Sequence, residues 1–155
     1  MSQISILSPG KSKEAWQKMA AQEYIRRLSR YCELHLIELP DAPDSLPLQK
    51  ALEQEGEAIL RRVSPRDYLI SLDIKGRRLS SEEFSALLQD AMTESGGHLA
   101  FVIGGSRGLS PEVLKASRQR LSFSPMTFTH LMARVILLEQ IYRAYKISSG
   151  EPYHK

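Results

Sequence analysis

Short apolar segments alternate with longer stretches of helical spacing along nearly the whole chain, and few architectures accommodate that order. Gln3–Leu7 alternates as a strand and runs through Ser8-Pro9-Gly10 into a helix over about Glu14–Leu28. Glu33–Leu39 repeats the strand pattern, the Pro- and Asp-rich stretch Pro40–Pro47 reads as a loop, and Leu48–Val63 has helical spacing. Tyr68–Leu72 is a short apolar strand that ends at Asp73, and Ser80-Ser81-Glu82-Glu83 is a capping box opening a helix through about Met92. Leu99–Ile103 is a further strand. Ser110-Pro111 combines a hydroxyl cap with a first-turn proline, Arg120–Phe123 forms a last short strand, and a helix over about His130–Ile147 closes the order. Strands regularly separated by helices imply an α/β fold, an open, mostly parallel sheet flanked by helices. A length of 155 residues suits one domain spanning 1–155.

The last helix carries apolar residues on several faces: Leu131, Val135, Leu138, Tyr142 and Tyr145 on one, Met132, Ile136, Leu137 and Ile141 on others. A chain this short has little with which to enclose such a helix, so a homodimer through it is expected, the alternative being a central helix packed wholly within the monomer.

Charge and cysteine usage narrow the function classes. Residues 1–106 hold 13 Lys/Arg against 15 Asp/Glu, and residues 107–155 hold 8 against 3, so the cationic excess gathers in the last third. That asymmetry suits a polyanionic partner, although a basic enzyme without one has the same balance. Cys32 is the single cysteine, with no partner for an internal disulfide and no cysteine at metal-ligand spacing. No apolar run reaches the roughly 18–20 residues of a membrane span, and the N-terminus lacks a secretory pattern, so a cytoplasmic protein with no membrane partner is expected.

Ligands of open α/β sheets bind at the carboxyl ends of strands, which directs attention to the loops there. Phe101–Leu109 contains Gly104, Gly105 and Gly108, and a glycine-rich exit either admits a ligand to the backbone or simply makes a turn. Its spacing fits neither a dinucleotide fingerprint nor a phosphate-cradling P-loop. Leu72–Arg78 runs from a strand end into a basic turn, and Phe123–His130 mixes apolar and hydroxyl residues suited to a flat aromatic ligand. The terminal Tyr153-His154-Lys155 offers an aromatic ring, an imidazole and an ammonium, a combination suited to an RNA base.

Taken in order, Phe101–Leu109, His130-Leu131-Met132-Ala133-Arg134, Glu139-Gln140-Ile141-Tyr142-Arg143-Ala144 and Pro152-Tyr153-His154-Lys155 resemble the ribosomal RNA large-subunit pseudouridine N3-methyltransferases, a family of the SPOUT class. The resemblance covers essentially the whole chain. It implies a C-terminal trefoil knot, a homodimer, and S-adenosylmethionine held by Leu72, Gly104, Phe123, Ser124, Pro125, Met126, Thr127 and Phe128. It implies as substrate a pseudouridine in helix 69 of 23S ribosomal RNA, within the assembled ribosome.

Methylation at N3 requires loss of the imide proton and stabilisation of charge on the flanking carbonyls. His154 is therefore expected to assist proton removal, Arg143 to stabilise charge and Tyr153 to position the base, with the tail able to act across the dimer. No metal is required. The competing expectations are a SPOUT enzyme acting on transfer RNA or a ribose hydroxyl, and a non-catalytic ribosome-binding protein. Ser8-Pro9 departs from the small apolar pair common in the family, and Arg107 stands at a variable position from which it either reaches RNA or faces solvent.

Overall fold

The computed structural model describes residues 1–153, and within them the expected alternation forms a single five-stranded sheet. The strands are β1 (Gln3–Pro9), β2 (Glu33–Leu39), β3 (Tyr68–Arg78), β4 (His98–Ile103) and β5 (Gln119–Ser122). They lie in the order β2-β1-β4-β3-β5, and every pairing is parallel. The helices are α1 (Ala15–Leu28), α2 (Leu48–Arg62), α3 (Ser81–Ser95), α4 (Pro111–Ala116) and α5 (His130–Ser148).

Period-two alternation sends strand side chains to two separate cores. Ile4, Ile6, Ile70 and Phe101 join a cluster with Leu28, Leu88, Leu137 and Ile141 from α1, α3 and α5. On the opposite face Leu7, Leu69, Ala100 and Val102 meet Ile59 of α2 and Val113 of α4.

Local chemistry sets the helix ends. The Ser80 hydroxyl accepts from the Glu83 backbone N–H while the Glu83 carboxylate accepts from the Ser80 N–H, which completes the capping box. Gly96, at φ +66°, ends α3 in the left-handed conformation. Ser110 caps α4 through the Val113 N–H, and Thr129 caps α5 through the Met132 N–H.

β3 is longer than the apolar run suggests. Its pairing with β5 slips so that Leu72 and Arg77 both stand opposite Leu121, and the intervening residues bulge out before the strand resumes. Gly76 makes this crossing possible, because a Cβ there would lie 2.6 Å from the Arg120 carbonyl carbon. The basic segment Lys75–Arg78 is thus part of a strand and bulge, not a free turn.

α5 lies across the sheet face packed against both α1 and α3. The chain therefore encloses Leu137, Leu138, Ile141 and Ala144 itself, and its own layers account for more of the helix's apolarity than the sequence pattern suggests. Val135 and Ile136 keep partial exposure, and Trp16 and Met19 are exposed apolar side chains of α1. Among the described residues no helix is long and apolar enough to cross a membrane.

Candidate active site

Three strand ends converge where β3 reaches its bulge, β4 stops at Ile103 and β5 stops at Ser122, and a cavity of about 770 Å³ opens there. Leu72 and Gly104 form parts of its wall, and Phe123, Ser124, Met126, Thr127 and Phe128 line the segment between β5 and α5. Pro125 is exposed and stands outside the lining. The structure thus brings seven of the eight expected cofactor residues around one space.

Gly104 is demanded by the loop itself. A Cβ at this position would lie 2.6 Å from the Gly108 carbonyl oxygen, and Gly105 and Gly108 close the turn through a bridge, with the Gly108 N–H donating to the Gly105 carbonyl at 3.1 Å. The glycine that the sequence offers for ligand approach is first a requirement of self-packing. In the facing segment, the Ser124 hydroxyl accepts from the Met126 N–H at 3.0 Å and the Ser124 carbonyl accepts from the Ser122 hydroxyl at 3.1 Å, which folds the backbone into a compact turn. Met126 and Phe128 are 74% and 40% exposed, an apolar lip over a cavity whose walls include Ile103, Leu109 and Leu121. Apolar walls, a side-chain-free backbone and a short loop with available main-chain groups fit a flat, nucleoside-like ligand.

α5 enters this region with His130, which also lines the cavity. Burial holds the His130 imidazole below its usual pKa, partly offset by the Asp41 carboxylate nearby. One turn further on, Arg134 is completely buried. Its Nη1 donates to Glu38 Oε2 at 2.6 Å and to Ser12 Oγ at 3.2 Å. Its Nη2 donates to Ser8 Oγ at 3.0 Å and to the Gly10 carbonyl at 2.9 Å. This guanidinium pins the β1–α1 loop beneath α5, which gives Ser8, Pro9 and Gly10 a structural role. Arg107 is likewise accounted for: it donates to the carbonyls of Leu46 at 2.8 Å and Asp44 at 2.7 Å, so it ties the 40–47 loop to the glycine loop.

The tail residues gather elsewhere. Arg143 is half-buried, pairs with Glu139 one turn earlier through contacts of 3.0 and 2.5 Å, and sits 4.8 Å from the Tyr153 ring centroid. The Tyr153 hydroxyl donates to Glu139 Oε1 at 3.2 Å, and its ring stands edge-on to Tyr142 with centroids 4.9 Å apart. The bond to Glu139 keeps Arg143 firmly protonated, and burial raises the Tyr153 hydroxyl well above its ordinary value. Glu151 accepts from Tyr31 at 2.7 Å and from Lys146 at 3.0 Å, so Glu151 and Tyr153 are held against the fold on either side of exposed Pro152. His154 lies outside the described residues.

Neither Arg143 nor Tyr153 lines the cavity. Thirteen residues separate Arg143 from His130, about 20 Å along the axis of α5. Within one chain, the cofactor-type cavity and the tail cluster are two separate places.

This sheet, with its strand-end cavity closed by a short loop and a returning C-terminal helix, matches a defined class. The chain belongs to the SPOUT methyltransferase family, whose model, described as predicted SPOUT methyltransferase, matches residues 2–154. Within that class it is similar over nearly its whole length to proteins named Ribosomal RNA large subunit methyltransferase H. Those of Clostridium botulinum (strain 657 / Type Ba4) and Alkaliphilus oremlandii (strain OhILAs) are 49% identical, and that of Clostridium novyi (strain NT) is 50% identical, each match covering 98% of this chain and 99% of the relative. Two solved structures share the fold at low identity. A probable methylase family protein from Haemophilus influenzae Rd KW20 superposes with a TM-score of 0.56 at 13% identity, over 99% of this chain and 70% of that one. A probable methyltransferase from Bordetella pertussis Tohama I gives 0.53 at 15% identity, over 92% and 96%. The chain is therefore an enzyme of the methyl-transferring class.

Sequence reasoning singled out neither Arg134 nor Glu139 as a functional side chain. Glu139 had a readable signal, an acid four residues before Arg143 on a helix. Arg134 had only its position as a cation within an apolar helix, since its partners lie about a hundred residues away in sequence.

Proposed function

We propose that this chain, folded as one domain over 1–155 with a C-terminal trefoil knot, transfers a methyl group from S-adenosylmethionine to N3 of a pseudouridine in helix 69 of 23S ribosomal RNA. The enzyme acts in the cytoplasm on the assembled ribosome, as a homodimer. The observation that carries this reading is the convergence of Leu72, Gly104 and the 123–128 segment on one cavity at the strand ends. The apolar lining of that cavity fits S-adenosylmethionine, which Leu72, Gly104 and the 123–128 segment would hold. When bound, the cofactor supplies a sulfonium methyl group for in-line transfer.

The remaining chemistry belongs to the chain's own residues. His154 takes the N3 proton, the Arg143 guanidinium stabilises charge gathering on a carbonyl oxygen of the base, and Tyr153 holds the ring in line. Because neither Arg143, far along α5, nor Tyr153, beyond its end, lines the cavity of their own chain, the partner subunit supplies them. Val135 and Ile136 of α5 together with Trp16 and Met19 of α1 give the apolar surface for that pairing.

The deciding experiment incubates unmodified ribosomes with the protein and isotopically labelled S-adenosylmethionine and maps the label by mass spectrometry. Label on N3 of a helix 69 pseudouridine is the expected result. Label on transfer RNA, on a ribose hydroxyl, or nowhere overturns the reading.

The cavity assignment makes a separate prediction. In Gly104→Ala the new methyl group meets the Gly108 carbonyl, and the turn has to open to relieve the contact. A rearranged cofactor wall is expected to cost about 1–3 kcal/mol, or roughly 5- to 150-fold in affinity for S-adenosylmethionine by titration calorimetry. Unchanged affinity would show that the glycine loop does not shape the cofactor site.

A further inference from the structure

Gln17 occupies the first turn of α1, where its neighbours Trp16, Lys18 and Met19 are exposed, yet Gln17 is turned inward and only 7% exposed. It lines the cavity, to which α5 also contributes His130, Leu131 and Ala133. Its Oε1 is buried and accepts no hydrogen bond from any described residue. A carboxamide oxygen withdrawn from water without a donor is unfavourable, and an apolar side chain of the same length would fill the position better for folding alone. The residue borders the cavity, and a turn of the carboxamide about χ3 into that space would give its oxygen a partner on a bound ligand.

We infer that Gln17 is a ligand-binding residue of this cavity, reading a nucleobase edge on which an N–H donor lies beside an acceptor. The carboxamide carries an acceptor oxygen next to an –NH₂ donor, so it matches such an edge through two parallel hydrogen bonds, as glutamine does with adenine. The inference rests on the methyltransferase reading above, because that reading brings two such edges into the cavity. One is the amine and ring nitrogen of the cofactor's adenine. The other is the N1–H and adjacent carbonyl of a pseudouridine, a donor that uridine lacks because its N1 is the glycosidic atom. The inference assigns to α1 a recognition role beyond the cofactor-binding and tail residues.

The test compares full-length wild type with Gln17→Met, and with Gln17→Leu should the first variant fold poorly. Three measurements are needed: melting temperature without ligand, calorimetric affinity for S-adenosylmethionine, and single-turnover methylation of ribosomes carrying either pseudouridine or uridine at the target. The unliganded variant is expected to melt no lower than wild type, because it exchanges an unpartnered carboxamide for an apolar group. One of the two ligands is expected to lose about tenfold, the usual effect of removing hydrogen bonds from a buried site.

A tenfold fall in cofactor affinity assigns the edge to adenine. Unchanged cofactor affinity with a tenfold weaker ribosome KM and reduced preference for pseudouridine assigns it to the target base. Unchanged values in both assays overturn the inference, as does a lowered melting temperature with both ligands unaffected, which would make Gln17 purely structural. Wild-type protein that took up no S-adenosylmethionine would bring down the methyltransferase reading itself, and this inference with it.

Discussion

Arg134→Met is expected to be the most destabilising single substitution at a charged position in this protein. The side chain is wholly buried, and its guanidinium serves Glu38, Ser8, Ser12 and the Gly10 carbonyl together. Methionine fills much of the same volume but donates nothing, so the hydroxyls and the carbonyl lose their donors while Glu38 loses its counter-charge. Removing one member of a buried ion pair costs about 3–5 kcal/mol. Glu38 keeps a third of its side chain in water, which places the expected loss at the lower end, about 3 kcal/mol. For a chain of this size such a loss lowers the melting temperature by roughly 6–12 °C, measurable by calorimetry or urea titration. Arg134→Lys should recover part of it, since an ammonium still reaches some of these acceptors but lacks the planar fork. A loss below about 1 kcal/mol for Arg134→Met would mean that the network's desolvation offsets its hydrogen bonds.

The same residue shows where sequence reading stops. Arg134 anchors a loop more than 120 positions earlier in the chain, and no periodicity within α5 reports a contact of that kind. β3 gives a second case: its apolar run ends at Leu72, but the strand resumes beyond the bulge because β5 pairs beside it and Gly76 presents no side chain to the Arg120 backbone. By contrast, the α3 capping box, the serine cap and proline at the start of α4, and the two-sided cores follow from local chemistry and alternation, and they were readable residue by residue. The site divides in the same way. Glycine enrichment in Phe101–Leu109 marks an unusual strand exit, but which backbone requires Gly104 depends on how the turn folds onto Gly108. Leu72, Gly104 and the 123–128 segment emerged as a set only through likeness to a family, because a cavity at three strand ends is a property of the assembled sheet. In α5 the sheet, α1 and α3 cover much of the apolar surface, while Val135 and Ile136 stay partly exposed, a division that the sequence pattern of the helix does not show.

Removing Tyr153–Lys155 is expected to lower the single-turnover methylation rate by about 10³-fold or more, because the proposed proton acceptor, His154, and the aromatic proposed to align the base leave together. Cofactor binding should survive, since none of the described tail residues lines the cavity. The truncation also removes the Tyr153 ring from Tyr142 and Arg143, so some stability is lost with it; His154→Gln, which leaves the Tyr153 ring in place, separates that packing from proton removal. The distance along α5 sharpens the prediction. If the tail serves its own chain's cavity, a mixed dimer of one truncated protomer and one Gly104→Ala protomer has no intact site. If the tail serves the partner, that dimer has one complete site: the unaltered cavity of the truncated protomer with the intact tail of the other. Mixing the two impaired proteins, with S-adenosylmethionine held below the dissociation constant of the Gly104→Ala site, should then restore up to half of wild-type activity per mixed dimer, and no recovery in dimers shown by mass to be mixed would place the tail on its own chain's cavity.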